Sequence, residues 1–275
     1  MPEVMDVRVG EQLAVAVEQL ARRAGEAILA VYSSAGFDVE VKADESPLTL
    51  ADRRSHAILA EGLEALRPGI LLVSEEGRAV PYAERRGQDL VWIVDPLDGT
   101  KEFVKRNGEF CVCVALVRSG LPVLGVIHAP VTGKSYLAWR GGGAAFAKTG
   151  PETPLRRLPA LMPKPVDSPG LRFSVSRSHL SADTEAYLGR FASPNTVAGG
   201  SALKFCAIAE GEIDIYPRHA PTMEWDTAAG QLIVEEAGGR VIAVEEGTPL
   251  RYNREHQVNG HFVATGNVVG DLPLA

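Results

Sequence analysis

The stretch from Trp92 to Phe103, WIVDPLDGTKEF, decides how this chain is read. A run of strand-forming residues, LVWIV, ends abruptly in Asp95 and Asp98, with Pro96 between them and Gly99 and Thr100 directly after. Proline fixes φ and glycine permits a sharp bend, so the strand ends in a turn. Strand ends are where α/β proteins place their sites. One aspartate would serve to cap such a turn, and two are not needed. Two carboxylates held this close repel each other, and a divalent cation between them removes that cost. Ligands that are all oxygen point to magnesium or manganese rather than zinc.

Working outward, Leu13, Val17, Leu20, Ala24, Ile28 and Val31 recur at helical spacing and predict a helix over roughly residues 10–33. DVEVK reads as a short strand. A second helix runs from Thr49, as its N-cap, to Leu66, where Arg67, Pro68 and Gly69 stop it. ILLVSEEG is a strand that ends in acids. FCVCVALVRSGLPVLGVIHAP reads as two strands joined by a turn at Ser119, Gly120, Leu121 and Pro122. KSYLAWRGGGAAFAK is a further hairpin. Residues 149–170 hold six prolines and read as a linker or long loop. Strands and helices alternate after it, so the chain divides into an α+β part (residues 1–150) and an α/β part (151–275).

Composition narrows the function. The chain has 275 residues, is 45% apolar and 23% charged, and is neither disordered nor, by any apolar run, membrane-spanning. Its N-terminus, MPEVMDVRVGEQ, carries acids and lacks the apolar core of a signal peptide. A net charge of −7 argues against a nucleic-acid partner. Cys111 and Cys113 alternate on one strand face. With Cys206 they form no Cys-x-x-Cys or other zinc spacing, so they read as reduced structural thiols of a cytoplasmic protein.

Other acids share the look of Asp95 and Asp98. Glu75 and Glu76 follow the strand ILLV. Asp226 follows Trp225 at the start of a helix, where the dipole alone would favour an acid. Asp52 lies three residues after Thr49, a capping-box spacing. No rival catalytic system is present. HAPVTGKS (128–135) resembles the tail of a phosphate-binding loop, but His128 stands where the first glycine must be, and it reads as an ordinary strand residue.

WIVDPLDGTKEFVK, VSEEG and WDTAAGQLIVEEAGG resemble the signature segments of the lithium-sensitive, magnesium-dependent phosphatases. That superfamily includes inositol monophosphatases, fructose-1,6-bisphosphatases and 3′(2′),5′-bisphosphate nucleotidases. The pieces fall in family order, from SPLTLAD onward, and span most of the chain. KEFVKRNGEFCVCVAL, VSRSH (175–179), GSALKFCAIAEG (200–211) and YPRHAPTMEWDTAAG (216–230) resemble the bacterial nucleotidase branch.

The resemblance implies a layered α-β-α-β-α sandwich. It implies Glu75, Asp95, Asp98, Asp226 and the Leu97 carbonyl as ligands of two or three magnesium ions, with manganese as a substitute and Glu76 behind them. Thr100 would contact the attacking water and Asp52 would take up its proton. Gly99, Ser176, His179, Gly200, Ser201, Lys204 and Arg218 would hold the rest of the substrate, Gly200 and Ser201 at a helix start that suits an anion. The implied substrate is adenosine 3′,5′-bisphosphate, a by-product of sulfate activation, cleaved to AMP and phosphate. The resemblance admits a homodimer. Some members of this branch sit at the inner face of the cytoplasmic membrane, but the sequence carries no amphipathic anchor for that. Two alternatives remain open on the sequence: an inositol-1-monophosphatase with a different pocket, and a non-catalytic, metal-dependent nucleotide sensor.

Overall fold

The computed structural model describes residues 9–33, 39–41, 47–177 and 181–274. Helix α1 (Glu11–Tyr32) buries all six residues that set the helical spacing in the sequence. Strands β1 (Val39–Val41) and β2 (Pro47–Thr49) form an antiparallel pair, and α2 (Leu50–Leu66) follows directly. The N-cap role expected of Thr49 rests on a side chain outside the described residues.

A seven-stranded sheet comes next. Its strands are β3 (Leu71–Ser74), β4 (Leu90–Asp98), β5 (Cys111–Arg118), β6 (Leu121–Ala129), β7 (Lys134–Trp139), β8 (Phe146–Thr149) and β9 (Arg156–Arg157), in that spatial order. Short helices α3 (Tyr82–Arg85) and α4 (Thr100–Val104) flank β4. Only β3 and β4 run parallel; the rest pair as antiparallel neighbours. The β5–β6 connection is tighter than the expected four-residue turn. Only Ser119 and Gly120 lie outside the strands, both at positive φ, and Leu121 already pairs with Arg118.

The residues between 149 and 170 are not a free linker. Here β9 pairs with β8, Leu158 is buried, and Asn267 donates to the Leu161 carbonyl. Strand β10 (Lys164–Pro165) pairs in parallel with β18 (Val268–Val269). The prolines forbid long strands here, but two-residue ladders remain possible at their edges.

The second half holds β11 (Arg172–Ser176), α5 (Ala182–Leu188), β12 (Asn195–Gly199), α6 (Leu203–Ala209), β13 (Ile215–Arg218), β14 (Thr222–Met223), α7 (Glu224–Glu236), β15 (Arg240–Ala243), β16 (Val258–Asn259) and β17 (Phe262–Thr265). Five of its strands make a sheet in the order β12-β11-β13-β17-β15. The small pair β14–β16 sits at its end.

Strand alternation builds the layers. Val112, Val114 and Leu116 of β5 pack with Trp92 and Val94 against α1 and α2. Cys111, Cys113, Ala115 and Val117 face the other way, toward α6, α7 and the five-stranded sheet. The far side of that sheet is covered by Tyr187 and Leu188 of α5. The result is the expected α-β-α-β-α sandwich. Helix α7 lies close on β6: a Cβ on Gly125 would stand 2.7 Å from the Ala229 carbonyl oxygen.

Candidate active site at the end of β4

The pairing of β4 with β5 slips at the end of the strand. Asp95 is opposite Cys113 and Asp98 is opposite Cys111, so three steps on β4 match two on β5. In a regular strand residues three apart point to opposite faces. The extra residue of this β-bulge turns Asp98 back to the face of Asp95. Leu97 takes up the slack on the opposite side, fully buried among the residues under α1. Gly99 then adopts φ +96°, where a side chain would be strained and would press on the Glu109 carbonyl, and α4 starts at Thr100. The Thr100 hydroxyl donates to the Leu97 carbonyl at 3.4 Å.

Asp226 arrives from far along the chain. It lies in the first turn of α7, and one of its oxygens accepts from the Met223 N–H at 2.7 Å, so it also caps the helix. Carboxylate oxygens of Asp95, Asp98 and Asp226 all lie within 4.8 Å of one another. Glu75 is fixed beside β4 by its N–H, which donates to the Val94 carbonyl at 3.2 Å. Asp52 is fully buried in the first turn of α2. Burial pushes the Asp95 carboxyl well above its ordinary range, and the negative charges of Glu75, Asp98, Asp226 and Asp52 push it further. Desolvation and Asp98 raise Asp226 to about 8. Asp98 is raised as well, chiefly by desolvation, against the pull of Lys204 and the Ala202 N–H. Three of the acids that the sequence singled out thus bring their oxygens together, and the charges of the other two, Asp52 and Glu75, act on Asp95. Glu76, by contrast, stands beside His56, whose ring accepts or donates at Ser74.

Asp98 and Asp226 line a cleft whose other walls include Lys101, Lys204, Tyr216 and Arg218. Lys204 is buried, not a solvated helix lysine. Its ammonium donates to the Ser201 carbonyl at 2.6 Å and lies over the Tyr216 ring at 5.0 Å. Arg218 ends β13, donates to the Pro221 carbonyl at 3.3 Å, and keeps a buried Nε with no hydrogen bond. Gly200 and Ser201 line the same cleft, but they do not begin a helix. Ser201 has φ +50°, α6 begins only at Leu203, and the Ala202 N–H donates to Asp98. The backbone donor expected to meet an anion therefore already serves Asp98. Ser176 ends β11 opposite Gly199, with its side chain outside the described residues, and His179 lies outside them altogether.

Sequence reasoning missed Lys101 and Tyr216. Lys101 was legible as the residue directly after Asp98-Gly99-Thr100. Tyr216 lies two residues before Arg218 and so shares its strand face, but its contact with Lys204 depends on α6 crossing β13.

An all-carboxylate set with raised pKa values suits a hard divalent cation, which would relieve the repulsion that raises them. The family model for the inositol monophosphatase family matches residues 10–270. This chain belongs to that family. The inositol monophosphatase family is metal-dependent, and Asp95, Asp98 and Asp226 are acids that could hold a metal ion. Among its members, the chain is 43% identical over 246 residues to the 3′(2′),5′-bisphosphate nucleotidase CysQ of Escherichia coli O157:H7, covering 89% of this chain and 96% of that protein. The Salmonella typhimurium CysQ is 43% identical over 90% of this chain and 97% of its own length. The crystal structure of CysQ from Bacteroides thetaiotaomicron superposes with a TM-score of 0.81 at 40% identity, covering 93% of this chain and 97% of that one. Among the described residues, no helix is long and apolar enough to cross a membrane.

Proposed function

We propose that this protein is a magnesium-dependent phosphatase that removes the 3′-phosphate of adenosine 3′,5′-bisphosphate, leaving AMP and phosphate. One observation carries the reading. Aspartates from β4 and α7 converge within 4.8 Å at a cleft that also holds Lys204 and Arg218. The likeness to nucleotidases named CysQ, over most of both chains, supports the choice of substrate.

Glu75, Asp95, Asp98, Asp226 and the Leu97 carbonyl would hold two or three magnesium ions, with manganese as a substitute. Bound there, such ions stabilise charge on phosphate oxygens and make water more acidic. The chain supplies the rest. The Thr100 hydroxyl holds the attacking water in line with the phosphorus, and Asp52 receives its proton through that hydroxyl. A positioned base of this kind contributes roughly 10²–10⁴-fold. No covalent phosphoenzyme is required. Lys204 and Arg218 offset phosphate charge in an otherwise acidic protein, and Gly99, Ser176, His179, Gly200 and Ser201 complete the nucleotide site. The protein would work in the cytoplasm on a by-product of sulfur assimilation.

A phosphate-release assay tests this with adenosine 3′,5′-bisphosphate, inositol 1-phosphate and fructose 1,6-bisphosphate, each with magnesium, with chelator and with lithium. The nucleotide should give the highest kcat/KM, chelator should abolish turnover, and lithium should suppress it. Preference for inositol 1-phosphate would overturn the substrate assignment. Tight nucleotide binding with no turnover would make the protein a sensor instead.

A further inference from the structure

The strand slip that aims Asp98 at the other carboxylates also aims it at sulfur. We propose that Asp98, Cys111 and Cys113 form a second metal site, for a thiophilic divalent cation such as zinc or cadmium, and that filling it silences the enzyme by drawing Asp98 away from the hard-cation cluster. The inhibitory half of this inference rests on the reading of Asp98 as a magnesium ligand; the site itself does not.

On the sequence alone Cys111 and Cys113 read as structural thiols, because they show no Cys-x-x-Cys or other zinc spacing. The structure supplies a third ligand. Alternation along β5 puts both sulfurs on one face, 3.7 Å apart. Asp98 lies opposite Cys111 across the ladder, with Oδ2 3.8 Å from the Cys111 sulfur. Ligand atoms of all three residues fall within 4.8 Å of one another. A tetrahedral zinc ion with Zn–S of about 2.3 Å and Zn–O of about 2.0 Å needs its sulfurs about 3.8 Å apart and each sulfur about 3.5 Å from the oxygen. The sulfur pair already meets the first distance, and Asp98 Oδ2 stands a few tenths of an ångström beyond the second from the Cys111 sulfur. The Ser201 hydroxyl, 3.6 Å from the Cys111 sulfur, stands next to the remaining position.

Chemistry separates this site from its neighbour. Thiolates select borderline and soft cations over magnesium and manganese. On binding, each thiol releases its proton to solvent, and the two thiolates balance the ion's charge. Cys111 and Cys113 are buried and do not line the cleft, but Asp98 and Ser201, which both touch the Cys111 sulfur, do, so the sulfurs lie one layer of side chains behind the cleft wall. Oδ2 of Asp98 accepts from Ala202 and faces Cys111, so an ion held by the sulfurs draws this carboxylate toward β5.

The test uses the full-length protein in saturating magnesium, titrated with zinc chloride or cadmium chloride. Zinc X-ray absorption of the wild type at one equivalent should give two sulfur scatterers at about 2.3 Å, and cadmium should give an ultraviolet thiolate-to-metal band. Zinc should inhibit phosphate release, and because both ions draw on Asp98, raising magnesium should raise the zinc needed for half inhibition. Cys113→Ala should keep its magnesium-supported activity, lose the cadmium band, and need at least about tenfold more zinc for half inhibition, as expected when a ligand shell is damaged. An absorption shell of oxygen and nitrogen alone overturns the site, whether or not Cys113→Ala folds. Zinc inhibition equal in wild type and Cys113→Ala overturns it too, and assigns the ion to the carboxylates. A sulfur shell in a protein with no phosphatase activity would leave the site standing and remove the function proposed above.

Discussion

Two of the buried charge clusters among the described residues are built on opposite plans. One joins α1 to the seven-stranded sheet. Glu18 accepts from Arg22 Nε at 3.0 Å and from the Ser135 hydroxyl at 2.7 Å, and Lys148 stands 3.7 Å from its other oxygen. Ser135 in turn accepts from Arg22 at 3.0 Å and meets His128 Nδ1 at 2.9 Å. Because the single Ser135 proton goes to Glu18, His128 Nδ1 must carry one itself. Acid, bases and hydroxyl satisfy one another inside the fold. The other cluster, at the end of β4, gathers Asp52, Glu75, Asp95, Asp98 and Asp226, and its negative charges raise the pKa of Asp95 and Asp226. Lys204 and Arg218 only border it. The first cluster is closed and structural. The second is a negative site whose balance comes from a cation.

Breaking each cluster should therefore hurt a different property. Glu18→Gln leaves Arg22 and Lys148 buried without their counter-charge, which typically costs about 3–5 kcal/mol. Urea unfolding should show that loss, while kcat/KM of the folded fraction stays at the wild-type level. Asp98→Asn should do the reverse. Asparagine still accepts from Ala202 and removes one charge from a repelling group, so the metal-free thermal midpoint should hold or rise. Activity on adenosine 3′,5′-bisphosphate should fall by more than about 100-fold, since even residues behind a metal ligand cost about 10–100-fold. Wild-type turnover in Asp98→Asn would erase the contrast between the clusters.

The two clusters should also answer pH with opposite signs. Burial lowers His128 from its ordinary 6.5 to about 4. Between those values the unfolded chain binds the extra proton, so this contribution to stability is present above pH 6.5 and is lost as pH falls toward 4. The raised carboxyls of Asp95 and Asp226 behave the other way. Folding favours their protonated forms, so their contribution is present below their ordinary pKa near 3.8 and is lost as pH rises, for Asp226 through about 8. Chelator-treated protein should accordingly gain more thermal stability from added magnesium at pH 8 than at pH 5. His128→Gln, measured with magnesium present, should flatten the loss of stability between pH 6.5 and 4. Equal stabilisation by magnesium at both pH values would mean that the acids do not repel one another as their positions require.

Much of this was legible in the sequence because it is local. The helical spacing of α1 and the apolar run of β4 are periods, and an aspartate pair at a strand end is a pattern within one turn. The balanced cluster was not legible at all. Its members Glu18, Ser135 and Lys148 come from three elements whose register only the fold fixes, and His128 read as a plain strand residue. Strand β17 was missed although it lies inside the five-stranded sheet, because its four residues are buried on both faces and show no alternation. The β-bulge that turns Asp98 was hidden for a related reason. Pro96 and Gly99 announce a turn, but the residue in excess is defined only against β5. The resemblance set Gly200 and Ser201 at a helix start, and only the positive φ of Ser201 and the capture of the Ala202 N–H by Asp98 show that the helix begins later.

Lys204 gives the smallest and most specific prediction, because it stands at the border between closed and open charge. Its ammonium lies over the Tyr216 ring and reaches the Ser201 carbonyl, as a structural lysine's would, yet its charge also lowers the pKa of Asp98. Lys204→Met keeps the stem and removes the charge. If the ammonium serves mainly the substrate's phosphate, KM for adenosine 3′,5′-bisphosphate should rise about tenfold, or about 1.4 kcal/mol, with kcat changed less. If it serves mainly Asp98, the magnesium concentration for half-maximal activity should shift instead and KM should hold. Because the carboxylates repel, loss of the one buried ammonium beside them should make magnesium bind more tightly. A magnesium requirement that moves down while KM stays constant would therefore place Lys204 with the structural charges, and a KM that moves alone would place it with the substrate.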